Sequence, residues 1–140
     1  MAANLSVSFT PLVNELKIKK TKRTPDVVMD HDKGYIELKG RSLPMNSMEF
    51  FKPLHNWLEG YSREPQKVTT VNIMLDYFDT SSSKHIYNIF QSLRAVNERG
   101  NHITVNWHYE NGDEEMEETG RDYEHLFQMS FNFIEVDELF

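Results

Sequence analysis

Apolar and polar residues alternate through "GYIELKG", with Ile36 and Leu38 on one side and Tyr35, Glu37 and Lys39 on the other. A period of two between glycines predicts a strand. "KVTTVNIMLDYFD" repeats the pattern over a longer run. Val71, Ile73, Leu75 and Tyr77 line one face; Thr70, Asn72, Met74, Asp76 and Phe78 line the other. "HITVNWHYE" places Ile103, Val105, Trp107 and Tyr109 on one face, and "FNFIEV" closes the series. "LKIKKTK" and "DVVMD" are short strand candidates at the front.

Between these runs the apolar spacing changes to three and four. "MEFFKPLHNWLEGY" puts Phe50, Leu54, Trp57, Leu58 and Tyr61 on one stripe, with Asn46 or Ser47 as the capping residue. Pro53 predicts a kink or a later helix start. Residues 82–99 carry Ile86, Ile89, Phe90, Leu93 and Val96 or Asn97 on a second stripe, ended by Gly100. "DEEMEETGRDYEHLFQ" reads as an acidic helix with an irregularity at Gly120.

Strands that alternate with helices imply right-handed crossovers and a largely parallel sheet. The front strands are expected to be antiparallel. One apolar and one mixed face on the longest strand places the helices mainly on one side. The expectation is a single α/β domain over residues 16–140, preceded by an N-terminal extension over residues 1–15.

Composition narrows the function. The 140 residues suit one domain, and 39% hydrophobic with 12% aromatic residues is a globular mixture. There is no cysteine, which removes disulfides, thiol nucleophiles and thiolate metal sites. No apolar run approaches a membrane span, and the first residues lack a basic start followed by an apolar block. A soluble cytoplasmic protein with no membrane partner is expected. A formal net charge of −7 argues against broad nucleic-acid binding. That charge is unevenly spread: "KIKKTKR" holds five bases and no acid, and "ENGDEEMEETGRDYE" holds eight acids against Arg121. Such runs are usually solvated faces; the sharper alternative is a docking surface.

Catalytic motifs are missing. The six histidines, His31, His55, His85, His102, His108 and His125, form no HExxH, and neither GxSxG, GxxxxGK[ST] nor GxGxxG occurs. No metal and no cofactor are expected. What stands out is "LDYFDTSSSK", in which Asp79 is followed by Thr80, Ser81, Ser82 and Ser83 and then Lys84. It lies where the clearest strand ends and a helix begins, a place where open sheets collect function. The hydroxyls could cap the helix, hold a ligand phosphate, or accept a phosphate themselves. Asp76 and Asp79 would oppose an added phosphate, making it a repulsive switch.

"GRSLPMNSMEFFKPLHNWLEGY", "LDYFDTSSSK", "VNWHYENGDEEMEETGRDYE" and "FNFIE", in this order, resemble the SiaC family of bacterial regulatory phosphoproteins. These are distantly similar to the STAS-type anti-sigma factor antagonists. The resemblance spans roughly residues 16–138. It implies a STAS-like fold and a non-catalytic switch in signal transduction. A dedicated Ser/Thr kinase would add a phosphate at the strand-to-helix junction and a PP2C-type phosphatase would remove it. The unphosphorylated form would bind an effector such as a diguanylate cyclase, tuning cyclic di-GMP and biofilm formation. By position the acceptor is Thr80; the STAS register points instead to Ser81. Ser82, Ser83 and Lys84 would shape the loop and helix start, and Lys84 could pair with the phosphate. "GRSLPMNS" would lie near the partner surface. The competing reading is a small-molecule or nucleotide-binding domain that uses the same helix end as an anion site. A hydrolase using Ser81 or Ser82 lacks an identifiable base.

Overall fold

The computed structural model of the protein describes residues 14–140, so the first thirteen residues of the expected extension lie outside the described residues. The elements run β1 (Glu15–Ile18), β2 (Asp26–Asp30), β3 (Tyr35–Ser42), α1 (Ser47–Arg63), β4 (Val68–Phe78), α2 (Thr80–Glu98), β5 (His102–Glu110), α3 (Glu114–Phe127) and β6 (Phe131–Val136). The six strands form one sheet in chain order. β1, β2 and β3 pair antiparallel, and β3 to β6 pair parallel.

The placement of the helices follows from this order. Three crossovers step in the same direction along the sheet, and right-handed crossovers then deliver all three helices to one face. Val27, Met29, Ile36, Leu38, Val71, Ile73, Leu75, Ile103, Val105 and Trp107 point into that face and are almost wholly buried against the helices. The opposite face is polar. Asn72, Asn106 and Asn132 stand opposite one another on adjacent strands. Asn132 donates to Asn106 Oδ1 at 2.9 Å, Asn106 to Asn72 Oδ1 at 2.8 Å and Asn72 to the Tyr35 hydroxyl at 2.9 Å. Tyr35 donates in turn to Glu37 Oε1 at 2.6 Å.

Four local expectations are corrected. Phe51, not Phe50, is the fully buried residue in the first turns of α1, and Phe50 packs at the margin. α1 continues through Pro53, so the helix neither restarts nor ends there. Tyr77 is exposed, because the β3–β4 register shifts at Gly40/Arg41 so that Gly40 faces Leu75 but Arg41 faces Tyr77. The extra residue in β4 reverses the alternation: Tyr77 turns to solvent and Phe78 turns to the core. Finally, Gly120 marks no irregularity. It is buried inside a continuous α3, and a Cβ there would lie 2.6 Å from Trp107 Cδ1 and Nε1. The glycine is what lets the helix lie on the indole.

Candidate functional site

The carboxyl ends of β3, β4 and β5 and the amino ends of α1, α2 and α3 meet along one rim of the sheet. The hydroxyl cluster sits on this rim. α2 starts at Thr80, two residues before the expected start at 82, because Asp79 is the N-cap. Its carboxylate accepts the Ser82 backbone N–H at 2.8 Å and the Ser81 hydroxyl at 3.0 Å. Partial burial works to raise the Asp79 pKa. The Ser82 amide, the Ser82 and Ser81 hydroxyls and the charge of Arg23 outweigh it and hold the carboxyl below its usual value.

The four hydroxyls have different environments. Ser82 is fully buried, its Oγ within 2.8 Å of Ser42 Oγ and donating to the Ser42 carbonyl at 3.1 Å. That carbonyl also accepts the Asp79 backbone N–H at 2.9 Å. Ser83 turns back onto its own helix, donating to the Thr80 carbonyl at 2.7 Å. Ser81 is exposed but committed to Asp79. Thr80 is exposed, and among the described residues its hydroxyl has no hydrogen bond. Lys84 is exposed one turn further on. Ser82 and Ser83 thus make their bonds at the helix start, to Ser42 and to Thr80. The two acids expected to oppose a phosphate are both engaged, Asp79 by the cap and Asp76 by Arg41 Nη2 at 3.0 Å on the open face. The same cap bears on the small-molecule reading, since the Asp79 carboxylate already occupies the helix end that a free anion would need.

Exposed apolar side chains also lie on the elements that reach this rim. Met45 and Met48, from "GRSLPMNS" and the start of α1, are 91% and 74% exposed, and Tyr77 and Tyr87 are exposed as well. A groove of about 640 Å³ runs between α1 and α2, lined by Asn46, Met48, Glu49, Lys52, His55 and His85. A second, of about 610 Å³, lies between α2 and α3 beside Phe78, Lys84, Tyr87 and Tyr123.

The floor of the first groove holds a pair that spacing alone does not reveal. His55 Nε2 and His85 Nδ1 lie 2.9 Å apart, thirty positions apart in sequence, and the His85 ring stacks on Phe51 at 4.8 Å. Burial, then the neighbouring His85, holds the His55 pKa below its usual value; burial, then Lys84, does the same for His85. One ring must donate and the other accept, so the two facing nitrogens cannot both carry a proton. The other histidines do not gather here. His31 bonds the Glu64 carbonyl at 2.8 Å, and His108 leaves a buried Nδ1 without a partner among the described residues. Among the described residues no helix is long and apolar enough to cross a membrane.

Comparison with known proteins points in one direction. Residues 18–136 match the family described as SiaC family regulatory phosphoprotein. An uncharacterised protein of Pseudomonas aeruginosa is 28% identical over 111 residues, covering 79% of this chain and 88% of its own. The crystal structure of the diguanylate cyclase SiaD in complex with its activator SiaC, also from Pseudomonas aeruginosa, contains a chain with a TM-score of 0.82 and 26% identity. The match covers 86% of this chain and 99% of that one. A separate structure of SiaC from the same organism gives a TM-score of 0.73 at 29% identity, over 86% of this chain and 95% of that one.

Proposed function

The chain belongs to the SiaC family of regulatory phosphoproteins, and from that premise we propose that it is a non-catalytic switch controlled by phosphorylation of Thr80. The observation that carries this reading is the sorting of the four hydroxyls. Burial removes Ser82 from any kinase, and Ser83 and Ser81 are held by neighbours, which leaves Thr80 open on the surface. As the first residue of α2, a phosphorylated Thr80 would sit at the positive end of the helix dipole. It would also add a charge of about −1.5 to −2 among exposed apolar side chains.

Those side chains, Met45, Met48, Tyr77 and Tyr87, form the partner surface in this reading. The effector is a diguanylate cyclase of the kind that the related SiaC activates. The unphosphorylated chain binds it, a dedicated Ser/Thr kinase turns binding off, and a PP2C-type phosphatase restores it. The protein itself performs no chemistry and works in the cytoplasm. Peptide mass spectrometry after treatment with the cognate kinase tests the site. Thr80→Ala should abolish the modification and Ser81→Ala should leave it, while Thr80→Asp should weaken effector binding at least tenfold. A phosphate mapped to another residue, or a Thr80→Asp chain that binds like the wild type, refutes the proposal.

A further inference from the structure

Charge along the rim is divided, and Thr80 lies at the division. On one side stand the β1–β2 turn and the start of α1. Lys19, Lys22 and Arg23 are exposed there and form no ion pair among the described residues. The Arg23 carbonyl accepts the Leu43 N–H at 2.8 Å, which lays this turn against the segment that leads to Met45 and Met48. Lys52 adds a further exposed cation beside the α1–α2 groove, with Glu49 as the acid on that wall. On the other side α3 opens with Asp113, Glu114, Glu115 and Glu117, of which Glu117 is matched by Arg121 at 3.2 Å.

We propose that the basic half of the rim receives an acidic segment of the effector, whose apolar side chains enter the α1–α2 groove beside Met48. The proposal rests on the effector-binding reading above and names the chemistry of the partner. Complementary charge steers and orients such a contact, and like charge set opposite it is costly. An acidic segment would meet Lys19, Lys22, Arg23 and Lys52 and would be kept off α3. A phosphate on Thr80 would then stand beside the bound segment with the same sign of charge and expel it. A basic segment would choose the α3 half instead, and the same phosphate would strengthen its binding, the opposite of a switch that releases its partner.

The test uses the full chain and SiaD of Pseudomonas aeruginosa as the probe, with binding followed by biolayer interferometry at several salt concentrations. The Lys19→Glu/Lys22→Glu/Arg23→Glu chain should bind at least about tenfold more weakly and lose most of the salt dependence seen for the wild type. Met48→Ser should weaken binding without changing that salt dependence. Glu114→Lys/Glu115→Lys should bind as well as the wild type or better. Light scattering of the unbound chain checks for a second copy as the occupant. If the basic-half variant binds like the wild type, or the α3 variant is the one that loses binding, the docking proposal is overturned while effector binding stands. Self-association abolished by the basic-half variant would also overturn it, in favour of a second copy. A wild-type chain that does not bind SiaD at all overturns the effector reading itself, and this proposal with it.

Discussion

Gly120 and Gly60 are both helical glycines, and the structure predicts opposite outcomes when each is changed to alanine. In an open helix the change should stabilise by about 1 kcal/mol, because alanine has the better propensity. Gly60 is such a case, with nothing within 4 Å of a Cβ built on it. At Gly120 the added Cβ would meet Cδ1 and Nε1 of Trp107 at 2.6 Å and Cε2 at 2.7 Å, about 0.8 Å inside ordinary contact at the closest atoms. The indole cannot withdraw. It is fully buried, donates to the Met116 carbonyl at 3.0 Å, and is packed by the rings of Phe90, Tyr123 and Phe131. α3 must therefore lift away from the sheet, an overpacking strain of about 1–3 kcal/mol. With the propensity gain set against the upper part of that range, Gly120→Ala should lose about 1–2 kcal/mol, roughly 3–8 °C in Tm for a domain of this size. Urea titration monitored by tryptophan fluorescence measures both variants. If Gly120→Ala gained stability as Gly60→Ala is expected to, the close seating of α3 on Trp107 would be wrong.

Ser82→Ala should cost about 1–3 kcal/mol in the same assay, since it removes the bond to the Ser42 carbonyl and strands the buried Ser42 hydroxyl; it should leave phosphorylation of Thr80 intact, and loss of that modification would count against Thr80 as the acceptor. The histidine pair predicts a pH dependence. Both folded-state pKa values lie below those of the unfolded chain, so the unfolded chain takes up protons first as pH falls. Stability from this pair should be present above the ordinary histidine pKa of about 6.5 and decline as pH drops through and below it. Replacing His55 and His85 together with glutamine should flatten that decline, and an unchanged slope in chemical denaturation between pH 7.5 and 5.5 would remove the pair as its cause.

The sheet was readable from sequence because the strands keep their alternation up to the bulge near the end of β4. Ile36 and Leu38, Val71, Ile73 and Leu75, and Ile103, Val105 and Trp107 all face the core as their spacing predicts. Helix positions were readable for the same reason, through the stripe from Ile86 to Val96. Tyr77 was misplaced because the bulge depends on how β4 pairs with β3, which no run of residues within β4 encodes. The choice of Phe51 over Phe50 was ambiguous, since two adjacent aromatic residues at a helix start satisfy the spacing nearly equally. At the site, the junction and its hydroxyls were legible, but their separate environments were not. Ser42 makes Ser82 a buried residue from forty positions away, and the His55–His85 contact joins two helices with no motif to announce it. The divided rim was half visible as two charge runs, whose common location only the topology supplies.

The row of side chains on the open face of the sheet has a direction. Each amide from Asn132 through Asn106 to Asn72 passes its hydrogen the same way, and the Tyr35 hydroxyl passes the last to the Glu37 carboxylate. Only the final member is unable to donate when ionised, so one carboxylate sets the sense of four successive dipoles. A strand shifted by one residue would turn its asparagine to the other face and interrupt the sequence of bonds. The row therefore acts as a register gauge across β3, β4, β5 and β6: parallel strands whose apolar faces could slide past one another are held at a single setting by polar groups outside the core.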